Sequence, residues 1–174
     1  ATVPGTALMS YVNIGALPDP NVADNLSTTD PMDTGSSVLS SLLYQKKQQA
    51  GRLGISCDID IQISHVAIDD FSITTIIGNL FDNAITAAQK CSSPWVRASL
   101  SQSGSYLELT IDNCHCEKIK EKNGEFVTTK KDKNLLHGIG IKNVRKVVSD
   151  LNGQIDISYT DDTFHVGILL PNYE

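Results

Sequence analysis

The feature that most constrains the fold is an apolar stripe between Asp69 and Lys90, which predicts one long amphipathic helix. Its apolar residues recur at steps of three and four, the spacing that places side chains on one face of a helix: Ile73, Ile76, Ile77, Leu80, Phe81, Ala84, Ile85 and Ala88. Such a face is stable only when another layer covers it, so the chain is expected to form a layered domain.

The segments around this helix predict that second layer. Alternating apolar and polar residues predict strands over residues 55–63, 96–100, 107–111, 154–159 and 163–170. Further helices are predicted over residues 36–52 and around Ile141 to Leu151, where Asn152-Gly153 ends the pattern. Residues 114–136 are predicted to form a long polar loop between the strand at 107–111 and the last helix. The order predicts an α/β sandwich with a mixed, mainly antiparallel sheet and helices on one face.

Composition fits one soluble globular domain, because 40% of the 174 residues are hydrophobic and 20% are charged. Residues 1–33 differ from the rest: they are rich in proline and small polar residues. They are interpreted as a linker or weakly ordered arm, with a short helix from Met9 to Leu17, ahead of a domain over residues 34–174.

Charge, hydropathy and cysteine content narrow the function further. A net charge of −6 gives no general reason to bind nucleic acid or an acidic membrane. No apolar run reaches the roughly 18 residues of a membrane span. The four cysteines are too few for a disulfide framework and predict reduced thiols in cytosol.

Three short motifs could carry chemistry. Asn79 and Asn83 are four residues apart on the long helix, so their carboxamides point the same way and could join a Mg²⁺ shell. The stretch from His137 to Ile141 contains Gly138 and Gly140, which allow a ligand close to the start of the last helix, where free amides favour phosphate. Asp112-Asn113 ends a strand, and a carboxylate there could accept a hydrogen bond from an exocyclic amine such as that of adenine.

Each motif alone has a simpler interpretation. The two asparagines could bond only to neighbouring backbone, the glycine pair could be an ordinary turn, and Asp-Asn favours turns at strand ends. In this order and on these elements, the three resemble the N, G1 and G2 boxes of the GHKL (Bergerat-fold) ATPases, the superfamily of gyrase, heat-shock-90, histidine-kinase and mismatch-repair proteins. The strings IGNLFDNAI at residues 77–85 and HGIGIKNV at residues 137–144 resemble sensor histidine kinases of the Agr-type peptide quorum-sensing branch.

The resemblance covers about residues 34–171 and implies roles for individual residues. Asn83 would bind Mg²⁺ and Asn79 would lie beside it near the phosphates of ATP. Asp112 would reach the adenine amine, with Asn113 as the alternative contact. Residues 114–136 would form a lid over the nucleotide, and its lysines Lys130, Lys131 and Lys133 could meet the triphosphate. The start of the last helix would lie along the phosphates with five residues: His137, Gly138, Ile139, Gly140 and Ile141.

Two departures from the family pattern bear on activity. The first glycine box normally reads D-x-G-x-G, whereas Cys114 and Cys116 stand here in place of both glycines. Hydrolysing members carry glutamate where this chain has Asn79, and asparagine cannot act as general base toward water. The resemblance therefore implies a protein-histidine kinase domain, the cytoplasmic part of a membrane-anchored sensor, more than a gyrase-type ATPase.

The phosphoacceptor is expected outside this sequence. The histidines are His65, His115, His137 and His165, and none lies on a long dimerisation helix ahead of the ATPase region. The expected partners are dimerisation helices of the same kinase and, indirectly, a response regulator, so the chain alone is not expected to autophosphorylate. The alternative is a degenerate, non-catalytic module of the same fold. A zinc site at Cys114-x-Cys116 is less favoured than ordinary loop thiols.

Overall fold

The structure, a computed structural model, describes residues 32–116, 120–122, 125–127 and 139–173, and for residues 120–122, 125–127 and 139 it describes the backbone only. The chain divides into two compact units, residues 1–30, which lie outside the described part, and residues 31–174. The arm predicted over residues 1–33 and its Met9–Leu17 helix thus lie almost wholly outside the described residues.

Three helices are described: α1 at Ser37–Arg52, α2 at Asp70–Ala88 and α3 at Ile139–Asp150. Hydroxyl and carboxylate caps start the first two, since Ser36 accepts from the backbone N–H of Leu39 and Asp69 from that of Ser72. Each cap pairs an amide that has no partner within its helix. The capping residues thus determine where α1 and α2 begin.

Five strands form the main sheet: β1 at Ser56–Gln62, β2 at Trp95–Ser103, β3 at Tyr106–Cys114, β6 at Gln154–Tyr159 and β7 at Thr163–Pro171. Their order across the sheet is β1-β2-β3-β7-β6. Only the β1–β2 pair is parallel, because α2 crosses between those strands, and the other pairs are antiparallel. The sheet is mixed and mainly antiparallel, as predicted.

The two faces of this sheet differ in burial. The inner face packs on the helices, and nine apolar residues of β2, β3 and β7 on this face are buried: Val96, Ala98, Leu100, Leu107, Leu109, Ile111, Val166, Ile168 and Leu170. The outer face carries the alternate residues, most of which are partly covered or exposed, and many of these are polar or small, among them Arg97, Ser99, Glu108, Thr110 and Gly167. The three described helices therefore cover the inner face, which is the predicted sandwich.

The loop predicted over residues 114–136 contains structure that the sequence did not predict. Strands β4 at Lys120–Lys122 and β5 at Glu125–Val127 pair as a small antiparallel sheet. At the end of α3, Asn152 takes the left-handed conformation with φ 55°, and Gly153 follows because a Cβ there would lie 2.5 Å from Leu170 Cδ2. In the described ranges, no helix is long and apolar enough to cross a membrane.

Candidate functional site

The carboxamide of Asn79 is held at the junction of α2 and α3. Its Nδ2 donates to the backbone carbonyl of Thr75, one turn earlier, at 2.7 Å. This bond determines which end of the amide is oxygen, because only the nitrogen can donate. A Cβ placed on Gly140 would lie 3.2 Å from Asn79 Oδ1. The oxygen of Asn79 therefore faces the first turn of α3.

Asn83 lies one turn further along α2 and faces the same glycine. A Cβ on Gly140 would lie 3.4 Å from Asn83 Nδ2 and 3.7 Å from its Oδ1. The side chain of Asn83 is exposed, whereas Asn79 is half-buried. The structure thus brings Asn79, Asn83 and Gly140 together, although about 60 residues of chain separate them.

Gly140 is needed where these elements meet. A contact of 3.2 Å is tighter than a methyl group normally makes, so a larger residue would displace the two carboxamides. Ile139 and Gly140 are the first residues of α3, where backbone N–H groups have no partner inside the helix. The backbone here can therefore hydrogen-bond an anion that sits beside the two amides.

Other residues expected near α3 differ in what is described. Ile141 is half-buried and packs against the core, so its side chain points away from solvent. Only the backbone of Ile139 is described. The remaining predicted members lie outside the described residues: Lys130, Lys131, Lys133, His137 and Gly138.

At the end of β3, the structure separates Asp112 from Asn113. Asn113 is on the inner face with Ile111 and Leu109, and only 3% of its surface is exposed. Its Nδ2 donates to the backbone carbonyl of Cys114 at 2.8 Å, which leaves Oδ1 as the acceptor end. Because α2 and α3 cover the same face, the residue placed toward them is Asn113, the alternative adenine contact that the resemblance implies.

Asp112 lies on the outer face instead. Its Oδ1 is 2.6 Å from Nδ1 of His165, which stands directly opposite on β7. The side chains of His165 and Asp112 are 36% and 32% exposed. Asp112 was the preferred adenine contact in the sequence analysis, and this placement does not fit that role, because successive residues of a strand point to opposite faces.

The sequence contained a signal for this difference. Leu107, Leu109 and Ile111 are the apolar residues of the strand, and the same alternation assigns Asn113 to their face and Asp112 to the other. No comparable signal in the sequence indicated that His165 would pair with Asp112. It depends on the register of β3 with β7, which pairs Asp112 with His165 across 53 residues of sequence.

The cysteines near this strand end do not form a metal centre. Cys114 is buried, and its Sγ accepts from the backbone N–H of Trp95 at 3.2 Å. Within the described part of the chain, no group of three histidine, cysteine, aspartate or glutamate residues could hold a metal ion. The zinc hypothesis, already the less favoured one, thus has no support in the geometry.

A family model described as the GHKL domain matches residues 68–171, more than half of the chain. The chain belongs to the GHKL family. The match starts at Ile68, next to the cap of α2, and ends where β7 ends, so it includes every candidate residue on α2, β3 and α3. A comparison with curated protein sequences finds no match.

Solved histidine kinases share the fold of this GHKL domain. The catalytic domain of histidine kinase ThkA superposes with a TM-score of 0.61 at 17% identity, covering 77% of this chain and 92% of that chain. Histidine kinase AdeS of Acinetobacter baumannii gives 0.57 at 17% identity over 79% of this chain. Full-length ShkA in complex with AMPPNP gives 0.57 at 12% identity over 78% of this chain. At such identities the likeness is one of fold.

The matched proteins differ in how much more chain they contain. The GHKL domain spans 64% of the AdeS chain and 29% of the ShkA chain. The remaining parts of those longer chains have no counterpart in this alignment. Their functions are therefore a basis for proposals about this domain only.

Proposed function

We propose that this GHKL domain binds ATP with Mg²⁺ and transfers the γ-phosphoryl group to a histidine on the dimerisation helices of a sensor histidine kinase. The observation that carries the proposal is that Asn79 and Asn83 converge on Gly140: a Cβ built there would lie 3.2 Å from Asn79 Oδ1 and 3.4 to 3.7 Å from the Asn83 carboxamide. Two carboxamides and the amide-rich start of a helix there have complementary roles toward a metal-bridged phosphate.

The chemistry of these groups suits a triphosphate. Carboxamide oxygens are hard ligands that Mg²⁺ accepts together with water and phosphate oxygens, so Asn83 would be the protein ligand and Asn79 its neighbour. The positive end of α3 and its unpaired N–H groups would stabilise phosphate charge. Bound Mg²⁺ would offset further charge on the phosphates. Lys130, Lys131, Lys133, His137 and Gly138 remain proposed contacts of the lid and helix start.

The adenine base of the nucleotide would lie near Asn113, at the C-terminal end of β3. Asn113 directs its Nδ2 to Cys114, so its Oδ1 is the end that can accept a hydrogen bond from an exocyclic amine. This group is almost fully buried, which makes a correctly matched hydrogen bond there valuable and an unmatched one costly. Asn113 is therefore proposed as the adenine contact in place of Asp112.

The transfer step needs positioning more than covalent chemistry. The bond between the γ-phosphorus and the bridging oxygen breaks, a bond from an imidazole nitrogen to that phosphorus forms, and ADP leaves. Asparagine at position 79 cannot take a proton from water, so transfer to a protein acceptor is favoured over hydrolysis. His65, His115 and His165, the histidines in the described ranges, lie outside the helices, so the acceptor is proposed on another segment.

Titration calorimetry with ATP tests the binding step. We expect binding that requires Mg²⁺, and Asn83→Ala should weaken it at least about tenfold, or roughly 1.4 kcal/mol. Gln89→Ala is the matched control, because Gln89 is an exposed carboxamide at the end of the same helix. That variant should keep the affinity of the parent. Equal losses in both variants would place the effect in helix stability and not in the metal site.

Phosphotransfer is then tested by mixing the domain with a separately prepared dimerisation-helix protein and labelled ATP. Acid-labile phosphohistidine on the helix protein is expected. Absence of any Mg²⁺-dependent binding at millimolar ATP would reject the kinase proposal.

A non-catalytic regulatory module is the second candidate, favoured by one observation. Where the family's first glycine box would leave open backbone, Cys114 is buried and its thiol contacts the N–H of Trp95. A buried side chain therefore stands where the family pattern has bare backbone, one residue after Asn113. Nucleotide binding without phosphotransfer to any helix partner would support this candidate.

The wider assignment rests on the resemblance of the two motif strings. We propose that the domain belongs to a kinase of the Agr-type quorum-sensing branch, lies on the cytoplasmic side of a membrane, and signals to a response regulator through its phosphohistidine.

A further inference from the structure

Three of the four cysteines gather where α2 and β3 end. Cys91 follows α2 by three residues, Cys114 is the last residue of β3, and Cys116 comes two residues later. Cys57 is the fourth and lies on β1. The first three form a group that we name the thiol cluster.

Contacts bring these thiols close to one another. Cys116 Sγ donates to the backbone carbonyl of Lys90 at 3.0 Å, and Lys90 is bonded to Cys91. Burial, and then hydrogen bonding to the thiols of Cys114 and Cys116, raise the pKa of Cys91 to about 12. Cys116 is exposed, whereas Cys114 is buried and Cys91 is half-buried. One thiol of the cluster therefore meets solvent, and its Sγ lies within hydrogen-bonding distance of the residue that precedes Cys91.

We propose that Cys116 and Cys91 form a reversible disulfide when the domain meets a hydroperoxide. The exposed Cys116 thiolate attacks the O–O bond, which breaks to give a sulfenic acid on Cys116 and releases an alcohol or water. The sulfur of Cys91 then displaces hydroxide from the Cys116 sulfur, and its proton leaves with that hydroxide as water. The two thiols lose two electrons, which reduce the peroxide, and a small-molecule thiol reverses the reaction.

The position of Cys114 explains why Cys91 is the preferred partner. Cys114 Sγ accepts from the N–H of Trp95 and is buried, so it would have to leave a packed position to react. It is also only two residues from Cys116, and a disulfide across so short a loop is strained. Among the described residues, the thiol cluster does not form a group that could hold a metal ion.

The bond has one measurable consequence for stability. It would join the end of α2 to the end of β3 and restrict the unfolded chain. The disulfide form should therefore unfold roughly 5 °C or more above the reduced form.

Peptide mapping under non-reducing conditions, after treatment of the full chain with hydrogen peroxide, tests the pairing. We expect a Cys91–Cys116 crosslinked peptide lighter by two hydrogens, which dithiothreitol removes. Cys57→Ser is the matched control and should crosslink like the parent. Cys116→Ser and Cys91→Ser should each abolish both the crosslink and the rise in Tm, and Cys116→Ser covers the case in which Cys91→Ser folds poorly.

The alternative results would overturn the proposal. These are a Cys91–Cys114 or Cys114–Cys116 crosslink, a crosslink between chains, or sulfinic acid on Cys116 without any crosslink. All of these measurements are made without nucleotide, so they stand apart from the proposed kinase function.

Discussion

On the inner face of the sheet, Asn113 lies almost fully buried toward the helices, while its neighbour Asp112 lies about one-third exposed on the outer face, bonded to His165. The two residues are adjacent in a motif whose family pattern gives the first position to an aspartate. In this domain the aspartate lies on the outer face and the asparagine on the inner face, beside the proposed site. Strand parity, and not chemical resemblance alone, decides which residue can reach a ligand between the layers.

The largest expected effect tests this comparison directly. Asn113→Ala should weaken ATP binding about tenfold to a hundredfold, because a buried acceptor with defined orientation is lost. Asp112→Ala should change the affinity less than about threefold, since Asp112 lies on the face away from α2 and α3. Calorimetric titration of both variants with Mg²⁺-ATP measures the two values. If Asp112→Ala proved the more damaging, the pocket would have to involve the outer face.

Alanine substitutions at Gly140 and Gly78 sharpen the comparison at the α2–α3 end of the proposed site. Gly140→Ala would place a methyl group 3.2 Å from Asn79 Oδ1 and 3.4 Å from Asn83 Nδ2. We expect this variant to bind ATP roughly threefold to tenfold more weakly, since the carboxamides must move before the ligand is held. The same titration checks it.

Gly78→Ala is the matched control for that variant. Gly78 lies within α2, next to Asn79, and a Cβ there would meet nothing within 4 Å. It should leave affinity unchanged and raise the free energy of unfolding by up to about 1 kcal/mol, because alanine favours helix over glycine. Matching losses of affinity in both variants would show that the Gly140 contact has no special role.

Much of the fold could be predicted because its signals are local. The apolar stripe of α2 and the alternation in β3 each depend on a few neighbouring residues. The β4–β5 pair could not be predicted, since strands of three residues carry too little alternation to stand out from a polar loop.

For the candidate site, helical spacing predicted that the side chains of Asn79 and Asn83 share a direction. Their closeness to Gly140 depends on how α2 packs on α3, which helical spacing does not determine. The preference for Asp112 came from the family pattern, although the alternation of Leu107, Leu109 and Ile111 already pointed to Asn113. The Asp112–His165 pair depends on which residues of two distant strands stand opposite, and no local pattern encodes that register.

The smallest expected effect concerns the outer face itself. His165 and Asp112 are joined at 2.6 Å, yet both are about one-third exposed, so solvent screening limits their interaction. A double-mutant cycle with Asp112→Ala and His165→Ala, followed by urea unfolding at neutral pH, should give a coupling of about 0.5 kcal/mol. Neither variant should alter ATP affinity beyond about threefold if the outer face is only structural. A coupling of several kcal/mol, or a shared loss of ATP binding, would instead mean that the pair acts through the sheet on Asn113, and the separation of the two faces would fail.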